Sequence, residues 1–395
     1  MRVPLPSLPS LAAPALLAFG LLACGGGGGN GGGGSTPAPF TLSQTQEAAS
    51  TCGEMFLAAR GDALGRPFVY VAAKEGGLKV FESGTGLALK RTLPATLWGG
   101  LHAMNLSQQG SLLLVALGNH FGTDLQAPGV AFVDVTDPLN PVLKGAWTDG
   151  ALRGGCGIAL SDGRYAYLGA MGNGLVILDA LDPAHPAFVS RFVPPLAFPD
   201  AQPDPAKINA RGLWLQGSTL YLGYDAGGLR ILDVADRAHP RETGRWSNPV
   251  MDGKPRAYNH VVVDGTLAYA AVDYCGVEAL DVSNPAAVRL LSWWNPWTCQ
   301  TSAQNWFTSD GHANELALDP AKKLLFVSSG KSDLQVLDLS VPGAPAWLQE
   351  FGGTANGIGT WGVSIQGGKA YLTYICAFIP FSSTWTGVKV LSYSR

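Results

Sequence analysis

The chemistry-bearing residues of this 395-residue chain are sparse and scattered, with six histidines and six cysteines in all. His102, His260 and His312 each stand just ahead of, or at the start of, an apolar run, and so do Cys156, Arg211, Asn259, Asn314 and Trp361. Three imidazoles brought together from distant parts of a chain could hold a divalent or transition metal. An arginine beside them could grip a carboxylate with two parallel N–H bonds. That set would suit a metal-dependent hydrolase or oxidoreductase acting on an anionic substrate, with His102, His260 and His312 as the ligands. The bland alternatives are a polar mouth that binds water and an arginine tied to loop carbonyls. No HxH or HExxH spacing, GxSxG, P-loop, CxxC or CxxCH occurs, and no carboxylate pair stands beside these residues in the sequence. Any site must be assembled in three dimensions.

The elements that would assemble it repeat. FVYVAAKEGGLKVFES from Phe68, GVAFVDVTDPLNPVLKGAW from Gly129 and YAYLGAMGNGLVILDALDPAHPAFVSRF from Tyr165 align with later segments starting at Leu220, Leu267 and Leu324, and a seventh closes the chain. The core acid recurs as Asp134, Asp179, Asp233, Asp281 and Asp338, with Glu82 and Ser392 at the two ends, a pitch of about 50 residues. Alternating apolar residues, β-branched and aromatic side chains, and Gly, Asp and Pro punctuation predict four short strands per unit. The recurring aspartate is expected to accept hydrogen bonds from the N–H groups of the following turn.

Four-stranded units of this length stack radially, so the chain is expected to be all-β, a seven-bladed propeller. Blade seven runs out after its third strand, and Phe40-Thr41-Leu42-Ser43-Gln44 is expected to supply the fourth. In such a ring the turns between strands one and two and between three and four share one face. The remaining connections share the other, and there lie the long segments 118–129, 195–208, 295–312 and 374–387. Long loops gathered on one face of a rigid scaffold are what a binding surface looks like. The eight residues named first are expected to converge on the mouth of the central channel at this face, with His120 above them. His185 and His239 fall in proline-rich turns of the opposite face. Trp98, Trp297, Trp306 and Trp385, with Trp361, are expected on or beside the elaborated face, either as docking aromatics or as wedges between loops.

The Leu-Val-Ile-Leu-Asp core followed by Asp-Pro and a second proline, best seen at Asp137-Pro138 with Pro141 and Asp182-Pro183 with Pro186, resembles the LVIVD repeat of bacterial and archaeal surface propellers. Five repeats fit well. The first has Glu82 and no Asp-Pro turn, and the seventh lacks the acid. The resemblance implies the fold and no particular chemistry.

At the N-terminus, residues 1–23 carry one positive charge and a short apolar run, as in a signal peptide. Leu21-Leu22-Ala23-Cys24 resembles the lipobox of bacterial lipoproteins, which implies lipidation of Cys24. Gly25 in place of Asp favours the outer membrane or cell surface over the inner membrane. Residues 24–39 read as the lipidated cysteine and a glycine-rich tether spanning roughly 20 Å, and 40–395 as the propeller. In an oxidising compartment Cys275 with Cys299, and Cys52 with Cys376, are plausible disulfides, which leaves Cys156 over.

With 26 Lys plus Arg against 29 Asp plus Glu, nothing favours nucleic acid. The reading that fits best is a monomeric, lipid-anchored envelope module that recognises a protein, peptide or glycan through its loop-rich face. It touches the membrane only through its anchor and needs no cofactor. The metal-dependent enzyme is the alternative.

Overall fold

A computed structural model describes residues 39–301, 308–376, 383 and 385–395. Residues 1–23, expected to be a signal peptide, together with Cys24 and Trp306 lie outside the described residues. Seven four-stranded antiparallel sheets follow one another along the chain. Their innermost strands are Ala58–Gly61, Ala103–Gln109, Ile158–Ser161, Gly212–Gln216, His260–Asp264, Leu316–Asp319 and Thr360–Gln366. Each innermost strand touches the next around a circle, and blade seven returns to blade one. The ring closes as expected: Thr41–Ala49 pairs with Gly387–Ser394 as the outer strand of blade seven.

Alternation along the strands sends apolar side chains to both sheet faces, and neighbouring blades bury them against each other. Tyr70, Val80, Leu106 and Val115 fill the seam between blades one and two. Tyr167, Ile177, Leu220 and Leu232 fill that between blades three and four. Phe326, Val336, Val363 and Leu372 fill that between blades six and seven. Each large apolar side chain removed from water contributes about 1.5–3 kcal/mol, so the seams carry the fold.

Local rules fix each blade. The acid ending the third strand accepts the backbone N–H two residues on: Thr136 to Asp134 at 2.8 Å, Leu181 to Asp179 at 3.1 Å, Ala235 to Asp233 at 2.9 Å, and Ser340 to Asp338 at 2.8 Å. The glycine opening the third strand is required where it stands. At Gly77, Gly174, Gly228 and Gly276 φ lies between 76° and 80°. A Cβ there would meet the last-strand carbonyl oxygen of the same blade at 2.1–2.3 Å.

Adjacent blades are stitched by a recurring bridge. The first residue of the strand-two-to-three turn pairs with the residue entering the next blade: Met171 with Ala210, Asp225 with Tyr258, and Asp273 with Ala313. On one face the connections are tight, such as 110–111, 217–218 and 265–266. On the other run 118–128, 193–211 and 247–259, together with the described residues of 295–315 and 375–386. His185 and His239 cap the turns of the first face by pairing with Asp182 and Asp236.

Candidate functional site

The loop-rich face is fastened from beneath by departures from the repeat. The second position of the third strand, apolar in Leu-Val-Ile-Leu-Asp, is polar in several blades, and each polar side chain reaches up to a loop. Lys79 pairs with Glu54 at 3.0 Å in the segment entering blade one. The fully buried Arg230 donates to the carbonyls of Pro195 and Phe198, each at 3.0 Å, and pairs with Glu242 at 3.1 Å. The buried Glu278 accepts from Asn248 Nδ2 and Trp246 Nε1, each at 2.8 Å, and from Tyr258 Oη at 3.0 Å. A buried charge is costly unless it is hydrogen-bonded on every side. These charges therefore hold their loops in one conformation.

Two disulfides reinforce the same face. Cys52–Cys376 clasps the segment entering blade one to blade seven, and Cys275–Cys299 ties a blade-five turn to the connection that follows. Both match the pairings expected from the sequence.

At the axis lies a small pocket of about 30 Å³, lined by Met104, Asn105, His120, Gly157, Arg211, Asn259, His260, Asn314, Glu315 and Trp361. It holds five of the eight residues expected at the mouth: Arg211, Asn259, His260, Asn314 and Trp361. Two bulges make it. The blade-two and blade-seven innermost strands each carry one extra residue at their start, where the register shifts between Ala103 and Asn105 and between Thr360 and Gly362. The extra residues are Met104 and Trp361, and both line the pocket. A bulge re-aims a side chain that regular pairing would send to a sheet face.

The guanidinium of Arg211 lies 5.5 Å from the Trp361 ring centroid and 3.6 Å from Asp225. Phe121 packs edge-on against Trp361 at 5.2 Å and against His120 at 4.5 Å. Below them Glu315 accepts from Asn105 Nδ2 at 2.8 Å. Burial pushes the Asp225 carboxyl up to about 6, with Arg211 pulling the other way. Burial, reinforced by Arg211, holds His120 down at about 3, and burial with Arg60 does the same to His260. Both imidazoles are neutral at pH 7, and their Nδ1 atoms and the Asn259 Oδ1 are buried without a hydrogen-bond partner. The pocket thus presents a cation over an aromatic face, together with unpaired acceptors.

The other expected mouth residues stand elsewhere. Cys156 is buried in the seam between blades two and three, its Sγ donating to the Ile158 carbonyl at 3.0 Å, and burial pushes its thiol up to about 12. His312 is buried and donates from Nδ1 to Asp273 at 2.5 Å. His102 is buried beside Lys74 and Glu75, on the turn of blade one. The three histidines of the metal expectation therefore do not share a site, and the described residues contain no group of three or more His, Cys, Asp or Glu able to hold a metal. The sequence reading missed three carboxylates. Asp225 and Asp273 are carried to the entrance of the next blade by the turn that bridges to it, and Glu315, just ahead of the blade-six innermost strand, lines the pocket.

Among the expected docking tryptophans, Trp98 is buried and donates to the Leu101 carbonyl. Trp297 packs on Trp294, and Trp385 on Tyr374. These three wedge loops, and Trp361 alone of the described four lines the axial pocket.

Comparison with known proteins agrees with this architecture. The LVIVD repeat model matches residues 154–193, 209–248 and 255–294, which are blades three, four and five. Among curated proteins no match is found. The chain resembles the β-propeller domain of Myceliophteria thermophila Cps50 (Swd1), with TM-score 0.59, 13% identity, and 90% of this chain and 100% of that one covered. It also resembles U3-55K, with TM-score 0.61, 10% identity, and 90% and 99% covered. A third likeness is to the computationally designed Ika8 protein, with TM-score 0.54, 10% identity, and 88% and 99% covered. At these identities the likeness is one of fold. No helix among the described residues is long and apolar enough to cross a membrane.

Proposed function

We propose that this LVIVD-repeat propeller is a recognition module of the cell envelope, exported, held on the membrane by a lipid on Cys24, and binding a protein, peptide or glycan through its loop-rich face. The observation that carries this reading is the concentration of devices on that face. Both disulfides and the buried Arg230 and Glu278 hold its connections in fixed positions, and the two bulges place Met104 and Trp361 at its centre. A surface ordered at such cost around Arg211 and Trp361 suits an interface centre, where Trp and Arg dominate binding energy. The glycine-rich composition of residues 25–39 suits a tether between the anchor and the module.

The test places a photo-crosslinking amino acid at Trp361, and in a control at Phe188 on an outer strand, in cells of the native host. A discrete adduct from position 361 that is absent at 188 and lost in Arg211→Ala supports the reading. Equal adducts from both positions refute it. Metabolic labelling with palmitate, lost in Cys24→Ala, tests the anchor separately.

A further inference from the structure

The channel has a second and larger chamber at its other end. It measures about 300 Å³ and extends from His260 and Arg60 down to Gln108 and Gln366, beside the tight turns. All seven innermost strands contribute to it, and its walls are mainly apolar (Ile158, Leu160, Leu213, Val262, Leu316 and Leu318, with the Trp214 ring among them), with Ser107, Gln108, Ser364 and Gln366 between these. Its volume is the share of about ten water molecules in liquid and reaches the lower end of the range for small-molecule sites.

One charge interrupts these walls. Arg60, on the innermost strand of blade one, spends its Nε on the Leu106 carbonyl at 2.9 Å. Its two Nη groups have no hydrogen-bond partner and its guanidinium no ion pair among the described residues. The acid that acts on it through space is Glu315, which faces the other pocket and is already engaged by Asn105. Beside Arg60 stands the neutral His260, which lines both chambers and so forms part of the partition between them. A cation at the end of an apolar tube, with its forked donors unspent, is the arrangement that receives a carboxylate bidentately. A doubly charged phosphate would have to shed more hydration against this single cation.

We infer that the chamber behind the tight-turn face binds a small monocarboxylate with a compact apolar body, its carboxylate on Arg60 and its body against the leucine and isoleucine walls and Trp214. The site lies at the opposite end of the channel from the recognition surface and does not depend on that reading.

Octanoate and octanol, titrated into the purified protein at pH 7 with calorimetry and tryptophan emission as readouts, test it. Octanoate is expected to bind about ten- to a hundredfold more tightly than octanol, since hydrogen bonds to charged groups are worth that much. Arg60→Gln is expected to abolish the preference, and Trp214→Phe to remove the emission change. Because Arg60→Gln could disturb the fold, Leu318→Trp, which fills the chamber near its outer end, serves as a second variant and is expected to block both ligands. Arg211→Ala and Trp361→Ala are expected to leave octanoate binding intact, which separates this site from the loop-rich face. Equal binding of octanoate and octanol, no binding of octanoate, or binding unchanged in both Arg60→Gln and Leu318→Trp would overturn the inference.

Discussion

Arg211, entering blade four, lies 5.5 Å from the ring centroid of Trp361, entering blade seven, so the two meet across the axis of the propeller. The same guanidinium acts on Asp225 and on His120. It lowers the proton affinity of both.

Removing that charge should therefore move two titrations together. In Arg211→Met the midpoint of Asp225 is expected to rise further above about 6, and that of His120 to rise from about 3. Side-chain NMR titrations of the labelled carboxyl and imidazole check this. If neither midpoint moves, Arg211 is not the group that links them.

Acid should destabilise the protein through its buried imidazoles. His120 and His260 stay neutral in the fold down to about 3, whereas in the unfolded chain they take up protons below about 6.5. Their contribution to stability is full above the unfolded value and is lost as pH falls through the window between the two. The loss is at most about 1.4 kcal/mol per pH unit for each histidine. Asp225 and Asp333, both raised to about 6, act with the opposite sign, since protonation below 6 favours the fold. In His260→Asn the melting temperature is expected to fall less steeply from pH 6.5 to 4 than in the parent, as followed by circular dichroism. An unchanged slope would count against a neutral buried His260.

The disulfides should differ in weight. Cys52–Cys376 spans 324 residues and Cys275–Cys299 spans 24. Chain-entropy reasoning gives the shorter loop roughly 3–4 kcal/mol and the longer one more than about 4.7 kcal/mol. Cys52→Ser with Cys376→Ser is expected to cost more stability in urea unfolding than Cys275→Ser with Cys299→Ser. Without the clasp, closure of the ring rests on the pairing of Thr41–Ala49 with Gly387–Ser394.

Cys156 should be inert. Its thiol is fully buried and its proton affinity is raised, so thiolate is scarce. A thiol reagent at pH 8 is expected to leave it unmodified in the native protein and to modify it after denaturation with the disulfides intact. Labelling of the native protein within minutes would show that the seam between blades two and three opens.

The sequence by itself determined the propeller. Periodic alternation, the recurrent aspartate and the glycine before the third strand are local signals, and each unit states them afresh, so seven weak readings become one strong one. Topology alone then assigned the long connections to one face, because strand direction alternates within a blade. The departures from the repeat at Arg230 and Glu278 gained their meaning only from the loops they reach in the fold. Tertiary structure alone decided which mouth residues meet. His102 and His312 stand one residue before the position that bridges to the preceding blade's turn, at Ala103 and Ala313, whereas Arg211 and Asn259 stand one residue after it, at Ala210 and Tyr258, and line the pocket. Cys156 lies in a seam, and Met104 and Trp361 are the bulge residues that line the pocket. The chamber around Arg60 was likewise illegible in the sequence. It arises from the circle on which seven strands stand, and the radius of that circle is set by how the blades pack together.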